Sequence, residues 1–305
     1  MQKQGLLTMG ADSSTWVALP NFFILGAAKC GTTSLYNYLK QHPDTYMSPV
    51  KEPCFFCETF QIIKDPVAYA RLFNAVENET AIGEASHVYF SSPSSAETLR
   101  AFFPKAKFVL VLRHPADRAY SLYHHMRRYG YETIASFEKA LEAEEKRFQS
   151  KFFRRHCNQY IYNFFYFRSG CFGEQIERYF SLFDRRQFYI MTLSQLMDAP
   201  LTKIQEIFDF LNVRGKYFPE PRVFNKGETS RVPMMQNIFN LKLRRPYWLR
   251  RMGLNFIRKY NLTEIPPIKP DTRKALCLKY EADLKKLYQL TGISFHTDGH
   301  DINFL

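Results

Sequence analysis

The sequence predicts an α/β fold, a single domain with a central, largely parallel sheet flanked by helices. Three observations lead there. Asn21 to Gly26 (NFFILG) is a short apolar run rich in strand formers and stopped by glycine. Phe108 to Leu112 (FVLVL) is apolar at every position, the pattern of a strand buried on both faces of a parallel sheet. Each run passes through a short loop into a segment with helical spacing, and strands that alternate with helices stack helices onto a parallel sheet.

In chain order, residues 1–19 read as a flexible leader and 20–305 as the domain, because no repeat or Gly/Ser-rich linker divides the chain. After the first strand, Thr33 to Gln41 carries Leu35, Tyr38 and Leu39 at helical spacing. The Phe108 strand leads into a helix over Ala116 to Tyr129. Ser136 to Phe148 and Gly173 to Phe183 also read as helices. A third strand, Gln187 to Leu193, precedes a helix in which Ile204, Ile207, Phe208 and Leu211 fall at i, i+3, i+4 and i+7. Sheets of this kind bind ligands at the carboxyl ends of their strands.

Composition narrows the function. The 305 residues carry 42 Lys plus Arg against 29 Asp plus Glu, a formal net charge of +13. That surplus favours anionic ligands such as nucleotides, acidic sugars, nucleic acid or a membrane surface. With 46% hydrophobic residues the chain has enough apolar material for a sizeable core, which excludes disorder as the main description. Its apolar runs are too short for a membrane-spanning helix. The first residues lack the charged, apolar and small-residue order of a secretory signal, so a cytoplasmic location is expected. Six cysteines are few for this length and read as free thiols; Cys54 and Cys57 form a lone CxxC without two further ligands, so no metal is expected.

The chemistry concentrates in the loop after the first strand, Gly26-Ala-Ala-Lys29-Cys30-Gly31-Thr32-Thr33-Ser34. Glycines let backbone wrap an anion, helix-start amides point at it, and lysine and hydroxyls add charge and donors. The glycine spacing is that of a Walker loop, yet Lys29 precedes the second glycine and Thr32 stands where the Walker lysine belongs. A kinase also needs a Mg²⁺ carboxylate after a second strand, whereas this strand ends in Leu112-Arg113-His114-Pro115. The site therefore suits an anionic nucleotide with two separated phosphate groups.

These segments, with Val50-Lys51-Glu52-Pro53 and Arg113-His114-Pro115-Ala-Asp117-Arg118-Ala-Tyr120-Ser121, resemble the sulfotransferases that use 3'-phosphoadenosine 5'-phosphosulfate (PAPS). The resemblance covers roughly residues 20 to 235 and is strongest to the heparan-sulfate-type branch and its soluble bacterial relatives. It implies a sulfotransferase fold with a P-loop-like phosphosulfate-binding loop. Lys29, Cys30, Gly31, Thr32, Thr33 and Ser34 would hold the 5'-phosphosulfate, and Arg113 and Ser121 the 3'-phosphate. Lys226, Gly227 and Arg231 would lie in a loop closing over the nucleotide. By the same resemblance PAPS is the donor, the bisphosphate PAP is the product, and no metal takes part. Lys29 would stabilise the leaving phosphate, and Glu52 would be the general base once burial lifts its pKa from about 4.3. Cys54 stands where the family often has histidine. His87, in Gly83-Glu84-Ala85-Ser86-His87, is the competing base.

The implied reaction is in-line transfer of a sulfuryl group to a hydroxyl or, as second choice, an amine of a small-molecule, glycolipid or carbohydrate acceptor. A nucleotide or small-molecule kinase is the runner-up. Nucleic-acid binding fits the charge, but no recognition motif accompanies it, so no nucleic-acid partner is expected. Residues 242–259 interleave cations with Tyr247, Trp248 and Phe256, which reads as a charged face or as peripheral membrane contact. The aromatics between Phe148 and Tyr189 read mainly as core, with an acceptor pocket as the alternative.

Overall fold

Phe22, Phe23, Ile24 and Leu25 have no exposed surface, so the first apolar run forms a strand covered on both faces, Phe22–Gly26 (β1). The computed structural model describes residues 6–7, 17–157, 159–215, 217–220, 228–230, 262–295 and 301–302. In it, β1 is the middle of a five-stranded sheet completed by Thr45–Met47 (β2), Ala81–Ala85 (β3), Lys107–Leu112 (β4) and Phe188–Thr192 (β5). The order across the sheet is β2-β3-β1-β4-β5, and every neighbouring pair is parallel. Burying a Phe, Ile, Leu or Val side chain contributes about 1.5–3 kcal/mol. The continuous burial of β1 and of Phe108 to Leu112 in β4 therefore anchors the sheet.

Within the stretch expected as one domain, the chain forms two compact units. The first comprises Met1–Arg113, Phe172–Phe224 and Asp283–Leu305. It holds the sheet together with the helices Thr32–Leu39 (α1), Pro66–Ala70 (α2), Val88–Ser91 (α3) and Ser95–Phe102 (α4). The predicted helices after the third strand and after residue 172 are present here as Pro200–Leu211 and Phe172–Phe180, with Ile204, Ile207, Phe208 and Leu211 buried. Strands β2 and β3 are additions to the sequence reading. The first is only three residues long, and the second interrupts its apolar residues with Gly83 and Glu84. Gly83 is required by packing, since a Cβ there would fall 2.2 Å from Phe22 Cζ and 2.6 Å from Met47 Sδ.

The second unit comprises His114–Cys171 and Asn225–Ala282. It contains the predicted helices as Pro115–Arg128 (α5) and Phe137–Gln149 (α6), the short helix Lys151–His156 (α7), and an antiparallel pair of Glu228–Ser230 with Leu262–Glu264. Buried polar groups tie it together. Arg147 donates to both oxygens of Glu132 at 2.7 and 3.0 Å, and the Tyr166 hydroxyl donates to the same carboxylate at 2.8 Å. Arg118, with no exposed surface, donates to the Tyr166 carbonyl at 2.6 Å and the Ser169 hydroxyl at 3.1 Å. Tyr160, Phe164, Phe165 and Tyr166 are buried, so these members of the aromatic stretch are core, while Phe152 is exposed. No helix among the described residues is long and apolar enough to cross a membrane.

Candidate active site

The parallel order β3-β1-β4 sets the loops after these three strands side by side at one edge of the sheet. After β1, the Ala27 amide donates to the Val111 carbonyl at 2.8 Å, which pins the start of the loop to β4. The loop then turns into α1 through Gly31, whose φ of 86° is left-handed and strained for any side chain. A Cβ there would also meet Leu193 Cδ1 at 2.7 Å.

As N-cap, Gly31 offers α1 no side-chain acceptor, and the first turn of α1 contains no acidic residue. The amides of a first helical turn have no intrahelical partner, and the helix dipole makes that end positive. Lys29, part-exposed and also left-handed with φ 66°, stands immediately before them. Thr33 and Ser34 are part-exposed and Thr32 is nearly buried. Cys30 is buried, its thiol directed to the Ala28 carbonyl at 3.6 Å. This is a cationic, donor-rich end with no acidic residue in the first turn of the helix, and it fits a phosphate or phosphosulfate group.

Arg113 is the part-exposed residue directly after β4, at the same edge of the sheet. Ser121 is part-exposed on α5 in the second unit. Lys226, Gly227, Arg231 and the basic stretch 242–259 lie outside the described residues.

The loop after β2 brings Glu52 to the end of β3. Its Oε1 accepts from Lys51 Nζ at 3.0 Å, and its Oε2 accepts from the His87 backbone amide at 3.2 Å and from His87 Nδ1. Glu52 and His87 are both part-exposed. The expected upward shift of Glu52 is not what this arrangement produces. Burial does oppose its ionisation, but the His87 and Lys51 charges and their hydrogen bonds outweigh it and hold the carboxyl well below the ordinary carboxylate range. Cys54 is buried, and its thiol is directed to the Glu52 carbonyl at 3.6 Å. Burial and the charges of Glu52 and Glu84 push this thiol far above its usual range, so it stays protonated and supplies no base in place of a histidine.

A residue without an assigned role in the sequence reading lies behind this pair. Glu84 of β3 is completely buried and accepts from Ser86 Oγ at 2.6 Å, Tyr69 Oη at 2.7 Å and Tyr89 Oη at 3.2 Å. Burial pushes its pKa up to about 7 against the pull of these three donors. An acidic residue inside an otherwise buried strand was the available signal, but its partners Tyr69 and Tyr89 come from separate helices. Among the described residues, no group of three or more His, Cys, Asp or Glu is placed to hold a metal ion.

Comparison with known proteins follows the same lines. Residues 19–233 match the family model described as sulfotransferase domain. The chain is 28% identical over 297 residues to human bifunctional heparan sulfate N-deacetylase/N-sulfotransferase 3, covering 90% of this chain and 30% of that protein. It is 35% identical over 109 residues to the membrane-associated sulfotransferase kil1 of Dictyostelium discoideum, covering 35% of this chain and 23% of that one. It thus spans less than a third of the length of either relative. Among solved structures, a sulfotransferase from Alicyclobacillus acidocaldarius superposes with a TM-score of 0.70 at 30% identity, covering 92% of this chain and 99% of that chain.

Proposed function

The chain belongs to the sulfotransferase family, whose members bind PAPS, and on that premise we propose that it transfers a sulfuryl group to an acceptor hydroxyl, with an amine as second choice. The relatives named for heparan sulfate favour a carbohydrate or glycolipid acceptor, with a small molecule as the alternative. The observation that carries the reading is that the Lys29 cradle, Arg113 and the Glu52–His87 pair belong to loops gathered at one edge of the sheet.

When bound, PAPS supplies a sulfuryl group already activated on its 5'-phosphate. Lys29 and the first-turn amides of α1 bind that end and take up negative charge developing on the phosphate oxygen, an electrostatic contribution that needs no rearrangement of the protein. Arg113 binds the 3'-phosphate through charge-assisted hydrogen bonds. The resemblance assigns Ser121 to the same phosphate, and Lys226, Gly227 and Arg231 to the nucleotide.

Proton removal belongs to Glu52 and His87 as a unit. Glu52 already accepts from Lys51 and His87, and its low proton affinity makes it a weak base on its own. Its carboxylate instead holds Nδ1–H of His87, which leaves Nε2 as the ring nitrogen to receive the acceptor's proton.

Calorimetric titration without magnesium tests the donor site. Adenosine 3',5'-bisphosphate should bind far more tightly than ATP, and labelled PAPS then reports the acceptor in a screen of hydroxyl and amine compounds. Binding of ATP only in the presence of magnesium would replace this reading with the kinase.

A further inference from the structure

We propose that Glu84 is a positioning residue for the proton-transfer pair, holding the backbone of the Glu52 loop against the end of β3 through Ser86 and Tyr89. The proposal rests on the reading that Glu52 and His87 handle the proton.

Two of the three hydroxyls on Glu84 also receive an amide of that loop. The Cys54 amide donates to Ser86 Oγ at 3.1 Å, and Ser86 Oγ donates to Glu84 at 2.6 Å. The Phe56 amide donates to Tyr89 Oη at 3.2 Å, and Tyr89 Oη donates to Glu84 at 3.2 Å. Each hydroxyl has one proton. By taking it, the carboxylate obliges the hydroxyl oxygen to present its lone pairs to the loop amide. Cys54 is two residues from Glu52, and Ser86 directly precedes His87, so the two relays clamp together the segments that carry the pair. Tyr69 donates to the same carboxylate at 2.7 Å but bridges to no amide of this loop in the same way, which makes it an internal control.

The arrangement is complete when Glu84 is ionised, above its pKa of about 7, because the carboxylate then only accepts. A glutamine of the same size brings its own N–H donors, so at least one hydroxyl must turn away and release its amide. Among the described residues, the titratable groups that bear most on Glu84 are Tyr69, Tyr89, Glu52 and Cys54. None of them is a cation that would hold the carboxylate by charge, so the hydroxyl relays supply its stabilisation. Ionising a buried carboxylate is unfavourable unless donors compensate it, and the three hydroxyls are the donors the fold supplies here.

Amide hydrogen exchange on the full chain tests this without a known acceptor. Ser86→Ala should speed exchange of the Cys54 amide by about tenfold, the scale of one lost hydrogen bond. Glu84→Gln should loosen both the Cys54 and Phe56 amides, and Tyr69→Phe neither. The ring-nitrogen signals of His87 in Glu84→Gln and Ser86→Ala should move toward those of Glu52→Gln, while affinity for adenosine 3',5'-bisphosphate stays at the wild-type value. Protection of Cys54 unchanged in Ser86→Ala, or Tyr69→Phe loosening the loop as much as Ser86→Ala, overturns the proposal. If Glu84→Gln does not fold, the contrast between Ser86→Ala and Tyr69→Phe still decides. Failure of the wild type to bind the bisphosphate would defeat the proposed function and leave the exchange result standing.

Discussion

His87 Nδ1 and Glu52 Oε2 share a hydrogen bond that joins the loop after β2 to the end of β3, and the His87 backbone amide donates to the same oxygen. A carboxylate bonded to both the ring and the backbone of one histidine fixes that ring's orientation. The two side chains therefore act as one group.

Removing either half should be severe. Glu52→Gln and His87→Ala are each expected to lower kcat by roughly 10²- to 10⁴-fold, the usual worth of a positioned acid–base group. Bisphosphate affinity should hardly change, and the double variant should be little worse than either single one. A loss confined to Glu52→Gln, with His87→Ala near normal, would make Glu52 the proton acceptor.

The two cationic positions should separate in kinetics. Lys29→Ala acts where charge develops, so it should depress kcat more than ground-state binding. Arg113→Ala should raise the Kd for adenosine 3',5'-bisphosphate more than the Kd for adenosine 5'-phosphate. Paired titrations with the two nucleotides check this, and equal losses for both would remove Arg113 from the 3'-phosphate.

Gly31→Ala should weaken the cradle through the backbone. A side chain at φ 86° costs about 1–3 kcal/mol, and the new Cβ would crowd Leu193 Cδ1. The expected result is a lower Tm together with weaker bisphosphate binding. Unchanged binding would show that the Gly31 turn does not shape the anion site.

Glu84 should leave a pH signature on stability. Its folded pKa of about 7 lies above the 4.5 of an ordinary glutamate, so its contribution is fully favourable below pH 4.5 and is lost as pH rises through 7. Glutamine does not titrate. Urea unfolding should therefore shift in favour of Glu84→Gln between pH 4.5 and pH 7, by on the order of 3 kcal/mol, and stay level above. The same gap at pH 4.5 and pH 8 would contradict the shift.

His124 works in the opposite window. Burial, reinforced by Arg127, lowers its pKa from 6.5 to about 4. In the fold its neutral ring contacts Thr229 Oγ1 at 2.8 Å. Stability should be level above pH 6.5 and fall as pH drops toward 4, and His124→Gln should flatten that slope in melting curves taken across the range.

Much of the fold was legible because periodicity is local. The unbroken apolar run of β4 and the Ile204, Ile207, Phe208 and Leu211 stripe announce a buried strand and a helix from their own spacing. β2 and β3 escaped it, the first for its length and the second because Gly83 and Glu84 are explained by neighbours from other segments. The candidate site divides in the same way. Lys29 and Gly31 share one short loop with a recognisable order of residue types, whereas Glu52 and His87 are 35 residues apart and meet only through the sheet.

The sequence by itself determined the α/β class, the glycine-rich loop after β1 with its lysine and hydroxyls, the cation after β4 and the family, because each is written in residue types at short spacing. Only the tertiary structure decided which groups touch. It set His87 on Glu52, beside the neighbouring Lys51, and so lowered a carboxyl that burial alone would have raised, and it enclosed Glu84 among three hydroxyls drawn from α2, α3 and β3's end. The meeting of Glu52 with His87 and of Glu84 with Tyr69 and Tyr89 depends on distances across the fold, and those distances follow from the strand order β2-β3-β1-β4-β5.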